Sequence, residues 1–128
     1  MKKNFLLIML FCAVTAGLII PYLAYAFSIS VYVKINSDVT GASCIHSWNI
    51  DPREFRQVEC YADAWDMNDM SCVDNYDEII DSVASGTISR ALSWDKSSGH
   101  LYYVVGCTNV TTSDGQHEVF DDDYAYAP

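Results

Sequence analysis

Hydrophobic and polar residues alternate along several stretches of the chain, and this two-residue period predicts β-strands. The clearest stretch is 28–35, in which every second residue is Ile or Val. Further strand candidates follow in chain order at 43–49, 55–65, 87–94, 101–110 and 116–120. The stretch 101–110 is rich in Tyr and Val, and we expect it to form a hairpin with 87–94 across a turn at 95–99.

One segment has a different period, which predicts a helix. Its apolar residues recur at helical spacing and form a single stripe: Tyr76, Ile79, Ile80, Val83 and Ala84. Asp74 or Asn75 can cap the start of this helix, and Gly86 can end it. Strands before and after one helix predict an α+β domain. We expect a small antiparallel β-sheet or a five-stranded barrel with one α-helix.

The N-terminal segment has the pattern of a secretory signal peptide. Two lysines precede an uncharged apolar run at 5–20, and Ala-Tyr-Ala at 24–26 places small residues where signal peptidase cuts. An uncleaved membrane anchor is the alternative, because the apolar segment is nearly long enough to span a bilayer. We expect three regions: a signal peptide at 1–26, one domain at 27–120, and an acidic flexible tail at 121–128.

Removal of the signal peptide makes an acidic chain more acidic. The full sequence carries 17 Asp and Glu against 7 Lys and Arg, which gives a net charge of −10. The first 26 residues hold two of the basic residues and none of the acidic ones, so the mature chain has a net charge of −12. This charge repels nucleic-acid phosphates. We expect a secreted or periplasmic protein that binds no nucleic acid and does not insert stably into membranes after cleavage.

Four cysteines remain after Cys12 leaves with the signal peptide. An even number of cysteines in an oxidising compartment favours disulfides, and four cysteines allow three pairings. We expect a domain stabilised by two disulfide bonds, Cys44–Cys60 and Cys72–Cys107, because the first pair brackets a plausible hairpin. Zinc is disfavoured, because no Cys-x-x-Cys pair and no histidine at ligand spacing from a cysteine is present.

The remaining residues contain no recognisable metal or cofactor motif. Many aspartates lie at 63–81 and 121–123, but the ligand register of an EF-hand is missing. Gly-rich phosphate loops, Gly-x-Ser-x-Gly elbows and His-Glu-x-x-His helices are missing too. We therefore expect no metal and no cofactor. Asn109-Val110-Thr111 matches the glycosylation sequon, which matters only in a eukaryotic source.

Three histidines, at positions 46, 100 and 117, leave one catalytic hypothesis open. His46, Glu59 and His100, together with Arg90, could form an acid–base set of the kind that cleaves phosphodiesters. The segment from Arg90 through His100 into the Tyr/Val strand resembles small secreted microbial ribonucleases, although the helix of that family precedes its catalytic strands. This resemblance implies a small secreted hydrolase as an alternative function.

Aromatic residues favour a binding function instead. Tyr and Trp provide large, rigid contact area in recognition surfaces, and we predict Trp48, Trp65, Tyr102 and Tyr103 as binding residues. Because adjacent residues of a strand point to opposite faces, we expect Tyr102 and Tyr103 to lie on different sides of the sheet.

The order of elements has a family resemblance as well. A strand, a Cys…Cys hairpin, a helix ending at Ser85-Gly86 and a terminal strand pair resemble the small sugar-binding B subunits of bacterial toxins, which are five-stranded barrels. The sequence thus favours a non-catalytic secreted protein that binds a protein or glycan. Such a protein would be an inhibitor, a glycan or receptor binder, or a host-directed effector.

Overall fold

The chain folds into seven β-strands. The computed structural model describes residues 27–128, so the predicted signal peptide lies outside the described residues. The strands are β1 (Ser28–Ile35), β2 (Gly41–Asn49), β3 (Phe55–Asp66), β4 (Ser71–Ile80), β5 (Ser85–Ser93), β6 (Leu101–Thr112) and β7 (Gly115–Tyr126). From residue 27 onward there is no helix, and therefore none that is long and apolar enough to cross a membrane.

The strands form two antiparallel sheets that pack face to face as a β-sandwich. One sheet has three strands in the order β1-β2-β5, and the other has four strands in the order β4-β3-β6-β7. A buried cluster joins the sheets, with Val33, Cys44 and Leu92 from the first and Ala62 and Val104 from the second. The fourth strand pairs with the third, whereas in constant-type immunoglobulin domains it belongs to the sheet of the first, second and fifth strands.

Small residues line the inner face of the four-stranded sheet. Every second residue of β3 from Val58 to Ala64 is fully buried, and half-buried polar or aromatic residues lie between them. Gly106 of β6 lies against β1, because a Cβ at this position would come within 2.8 Å of the Val33 side chain. The small inner side chains bring the sheets together and leave the large side chains of β3 on the opposite face.

The predicted helix is wrong, and with it the α+β class: the described chain is all-β. The segment expected to be helical is divided between β4 and β5. In β4, Tyr76, Glu78 and Ile80 face the sandwich, while Ile79 is 60% exposed. The two-residue alternation of hydrophobic and polar residues in β4 is not visible in the sequence, because position 78 faces inward but holds a glutamate. Pairing with β3 along the length of β4 outweighs the local helical pattern.

Both predicted hairpins are wrong, because their strands belong to different sheets. β5 pairs with β2, and β6 pairs with β3 and β7. The strands that carry Cys44 and Cys60, β2 and β3, are likewise in different sheets. The connections at 50–54 and 94–100 cross from one sheet to the other. Seven strands in two sheets replace the expected five-stranded barrel and remove the likeness to toxin B subunits.

The predicted disulfide bonds are not formed, since Cys44, Cys60, Cys72 and Cys107 all carry free thiols. Cys72 in β4 and Cys107 in β6 are separated by β3. Two strand spacings put their Cα atoms at least about 9 Å apart, which is beyond the reach of a disulfide. The Cys44 thiol forms a hydrogen bond with the Tyr76 hydroxyl inside the sandwich, and burial raises the pKa of this thiol. Burial also raises the pKa of Cys60, to about 12.

Residues 121–126, which the sequence assigns to a flexible tail, continue strand β7. Two aspartates of this segment face inward and bind the edge of β1. Asp121 accepts the backbone N–H of Val33 at 2.7 Å, and Asp123 accepts that of Ile35 at 2.9 Å. The two carboxylates thus supply the acceptors that a neighbouring strand would otherwise supply, and they close one open side of the sandwich.

An ion pair closes the opposite side, where β4 and β5 are the sheet edges. The Arg90 guanidinium donates from Nε to the Glu78 carboxylate at 2.8 Å, and the two side chains are partly exposed. Charged groups therefore bridge the two sheets along both open sides.

We expect Asp121→Ala to lower the free energy of unfolding by about 2 kcal/mol, because it leaves the Val33 N–H without its charged acceptor. Denaturant titration followed by tryptophan fluorescence measures this change. Glu118→Ala, in the same strand but on the opposite face, is the control and should change the free energy by less than about 0.5 kcal/mol. Equal losses in the two variants would contradict the bridging role of Asp121.

The thiols give a second prediction, made for the chain with Cys12→Ser so that only described cysteines react. We expect one thiol, the exposed Cys72, to react rapidly with a disulfide reagent in the native protein, and all four after unfolding. The buried thiols are protected by low access and raised pKa values. Cys72→Ser should abolish the rapid phase. A count of zero in the unfolded, unreduced protein would contradict the free-thiol assignment.

Candidate binding face

The outward side chains of the four-stranded sheet form a patterned surface, which we call the outer face. Strand pairing aligns them in four rows that run from β4 through β3 and β6 to β7. The rows are Ile79-Glu59-Asn109-Glu118, Asp77-Tyr61-Cys107-Phe120, Asn75-Asp63-Val105-Asp122 and Cys72-Trp65-Tyr103-Tyr124. Successive rows are about 7 Å apart, and neighbours within a row are about 5 Å apart.

Acidic and aromatic residues alternate along two strands of the outer face, β3 and β7. The first and third rows carry two carboxylates each, while the second and fourth rows carry five aromatic rings and one further carboxylate, Asp77. None of the sixteen positions holds Lys, Arg or His. A negative surface with accessible ring faces is suited to cationic ligands, because both carboxylates and the π faces of rings attract positive charge.

The rings of the outer face differ in their exposure. Phe120 and Tyr124 at the β7 edge are 58% and 68% exposed, whereas Tyr61 and Tyr103 are half-buried. A hydrogen bond with Cys107, together with burial, raises the pKa of the Tyr61 phenol. Burial and a hydrogen bond to the Asp122 carboxylate raise the pKa of Tyr103. Tyr61 and Tyr103 are thus held by neighbouring side chains, whereas Phe120 and Tyr124 are open to a partner.

Two shallow depressions lie on this face. One of about 400 Å³ is lined by side chains of the first three rows, among them Glu59, Tyr61, Asn109 and Glu118. The other, of about 370 Å³, lies next to Tyr103 in the β6–β7 part of the face. Both depressions combine carboxylates with at least one aromatic ring.

The structure separates the four predicted binding residues. Trp65 and Tyr103 are neighbours in the fourth row of the outer face. Trp48 and Tyr102 are buried: the Trp48 indole donates to a backbone carbonyl at 2.8 Å, and the Tyr102 ring stacks on Trp94 at 5.5 Å. The latter two belong to the core. A binding role for Trp65 and Tyr103 stays a prediction.

Sequence reasoning missed the contribution of β7 to the outer face. From Glu118 to Tyr124, acidic and aromatic residues occupy every second position. This alternation is a signal for a strand with one chemically distinct face, but the three adjacent aspartates at 121–123 favoured the interpretation as a solvated tail.

The residues of the catalytic hypothesis are not brought together. His46 is buried on the inner side of β2, whereas Glu59 lies on the outer face. His100 lies in the β5–β6 connection, and its Nδ1 is 2.7 Å from a carboxylate oxygen of Asp66. Arg90 pairs with Glu78 at a sheet edge. Since the four-stranded sheet lies between His46 and Glu59, these residues form no shared site.

His46 instead belongs to a hydrogen-bonded chain inside the sandwich. Its Nδ1 lies 2.8 Å from the Thr108 hydroxyl, and its Nε2 lies 2.5 Å from the Tyr76 hydroxyl. Thr108 donates its proton to the Ser30 carbonyl, so His46 donates from Nδ1 and accepts at Nε2. Burial, with a smaller contribution from the charge of Arg90, lowers the pKa of His46 to about 4.

A second cluster of polar groups lies at one end of the sandwich. The ligand atoms of Asp66, Asp69 and His100 are within 4.8 Å of one another, a spacing that could hold a metal ion. The buried Asp66 carboxylate, however, already accepts the backbone N–H groups of Asn68 and Asp69 and contacts His100. The arrangement therefore joins the β3–β4 turn to the β5–β6 connection.

The chain superposes in part on several solved structures. No protein-family model matches the chain, and no curated protein matches it significantly. A Bacteroides uniformis beta-glucuronidase superposes over 77% of this chain and 13% of its own, with 11% identity and a TM-score of 0.45. The chicken interferon gamma receptor alpha chain superposes over 78% of this chain and 50% of its own, with 6% identity and a TM-score of 0.45.

A third structure is similar in length. The sensor domain of the anti-sigma factor RsgI4 from Pseudobacteroides cellulosolvens superposes over 78% of this chain and 96% of its own, with 10% identity and a TM-score of 0.38. The chain spans only about an eighth of the glucuronidases it superposes on.

We expect the His46 chain to make stability fall as pH decreases. The pKa of His46 in the folded protein, about 4, is below the ordinary value of 6.5. The contribution of neutral His46 to stability is therefore complete above pH 6.5 and is lost as the pH falls toward 4. Between pH 7 and pH 5 the loss from His46 is about 2 kcal/mol.

Denaturant unfolding of the wild type and of His46→Gln at several pH values isolates this contribution, because the other titrating groups are common to both proteins. His100 makes stability increase as the pH falls, because its contact with Asp66 raises its pKa. A difference between the two proteins that is constant from pH 7 to pH 5 would contradict the prediction.

Proposed function

We propose that this protein is an exported, non-catalytic β-sandwich binding module, and that its outer face binds a basic segment of a polypeptide partner. The observation that carries the proposal is the alternation of acidic and aromatic residues along β3 and β7, on the same face of the four-stranded sheet. It supports a cationic ligand, because every ring of the outer face has at least one carboxylate beside it in a neighbouring row.

Charge supports a basic ligand. Five carboxylates share the outer face without a basic side chain in its four rows. Bringing like charges together is unfavourable for folding, and a cationic ligand relieves their repulsion. Aromatic rings beside the carboxylates add cation–π contacts and pack against the aliphatic stems of Lys and Arg.

The dimensions support an extended peptide segment. Four rows about 7 Å apart and four strands about 5 Å apart form a patch of about 20 by 15 Å. This area is smaller than one side of a standard interface between folded proteins. An extended segment repeats its side chains at the same period of about 7 Å as the rows, so alternate basic residues of one segment can reach successive rows, acidic and aromatic in turn.

Export is part of the same proposal. Its support is the lysine-apolar-Ala-x-Ala pattern of residues 1–26. Mature protein beginning at Phe27 is the expected result of N-terminal sequencing after expression with the native N-terminus. A retained N-terminus would show that the segment is an anchor.

We expect the protein to bind a fluorescent peptide of alternating Lys and Thr, about eight residues long, and to bind its Glu/Thr counterpart at least about tenfold more weakly. Fluorescence anisotropy at low and physiological salt measures both, and higher salt should weaken the Lys/Thr complex. The double variants Asp63→Asn/Asp122→Asn and Phe120→Ser/Tyr124→Ser should each weaken binding by about tenfold.

Matched controls change the same groups away from the outer face. Asp81→Asn/Asp95→Asn removes two exposed carboxylates, and Tyr32→Ser removes an exposed ring of the three-stranded sheet. Both controls should bind like the wild type. If the charge control weakened peptide binding as much as Asp63→Asn/Asp122→Asn, net charge alone would explain the binding. That result would contradict a binding site on the outer face. Binding of a glycan panel that the Phe120/Tyr124 variant abolishes, without peptide binding, would replace the proposal with glycan recognition.

A further inference from the structure

One residue of the outer face has an unpaired polar atom. Asn109, in the first row, is only 8% exposed, and within residues 27–128 its Oδ1 has no hydrogen-bond partner. Strand pairing places Asn109 directly between Glu59 of β3 and Glu118 of β7. The side chain lies in the depression of about 400 Å³ that these two glutamates also line.

The fold does not require an asparagine at this position. The β6 backbone makes the ladder bonds whatever the side chain, and Asn is disfavoured in strands. A buried acceptor without a partner lowers stability, and an apolar residue of similar size would remove that penalty. Asn109 also begins the glycosylation sequon, but its burial in the middle of β6 withholds the side chain from a glycan-transferring enzyme. A ligand that donates to Oδ1 accounts for the residue.

We propose that Glu59, Asn109 and Glu118 bind a primary ammonium group, supplied by a lysine of the basic partner. This inference rests on the proposed function for the identity of the partner. An ammonium has three N–H donors, and the first row offers three acceptor groups: two carboxylates and the recessed amide oxygen between them. The Tyr61 ring, which lines the same depression, is placed to pack against the lysine stem.

The geometry distinguishes an ammonium from two other cations. A guanidinium presents its five donors in a planar fork that matches one carboxylate, so it has no use for a recessed third acceptor. Calcium takes six to eight oxygen ligands, and this row supplies side chains from one side only. The compact ammonium is the group whose donor number and shape fit.

The test compares peptides and variants of the full chain. The Lys/Thr peptide should bind at least about tenfold more tightly than its Arg/Thr and Nε-acetyl-lysine counterparts. Asn109→Leu should raise the thermal midpoint yet weaken Lys/Thr binding by about tenfold, and Asn109→Asp, which keeps the acceptor, should restore binding. Asn49→Leu, which changes a half-buried amide in β2 of the three-stranded sheet, is the matched control and should leave binding unchanged.

A second measurement reads the site without a polypeptide. In ¹⁵N-labelled protein, cadaverine should shift the Asn109 side-chain amide signal, and calcium chloride should not. Equal binding of Lys and Arg peptides with no effect of Asn109→Leu would overturn the ammonium site and leave the proposed function standing. A cadaverine shift without peptide binding would support the site with a small amine as ligand and end the polypeptide proposal. A calcium shift without a cadaverine shift would overturn the inference.

Discussion

The antiparallel pairing of β3 with β6 is the constraint on which the rest of the structure depends. These two long strands lie at the centre of the four-stranded sheet and pair from Phe55 and Thr112 to Asp66 and Tyr102. Because side chains alternate between faces, this register decides at once which residues fill the core and which form the outer face. A slip by one residue would turn the small residues of β3 outward and bury Glu59 and Asp63. The register that builds the core is therefore also the one that aligns the acidic and aromatic rows.

The edge strands depend on that centre, and they are held by polar groups rather than by apolar contact alone. β7 pairs with β6, and its inward aspartates then reach the free N–H groups of β1. β4 pairs with β3, and its inward glutamate then meets Arg90 of β5. Each edge thereby presents charge where an uncovered strand would otherwise present unpaired backbone groups. The His46 chain between these two sides is satisfied at both ring nitrogens, which is why a buried histidine is tolerated.

These edges are also where sequence reasoning failed. The strand at 28–35, the candidates that became β2, β3, β5 and β6, and the first half of β7 were predicted from the sequence. Glu78 and Asp121 occupy inward positions of β4 and β7, and a charge there removes the alternation on which the prediction depends. Sheet membership was beyond reach for a different reason: local pattern says which face of a strand is buried but not which strand lies beside it. Trp65 and Tyr103 were predicted as binding residues from residue type alone, whereas the position of Phe120 and Tyr124 on the same face required the pairing of β7.

The outer face contains charged and polar groups that lower the stability of the fold. Elsewhere, inward charges have partners, as in the contacts of Asp121, Asp123 and Glu78. On the outer face, five carboxylates share one surface, and the buried amide oxygen of Asn109 is unpaired. Sites that bind ligands commonly retain such unfavourable groups, because the ligand supplies the missing partner. The unbalanced charge and the unpaired acceptor lie in the same row, and a cation is the one kind of ligand that relieves both. Core and outer face thus follow from one register, which buries the small residues of β3 and aligns Glu59, Asn109 and Glu118 in one row.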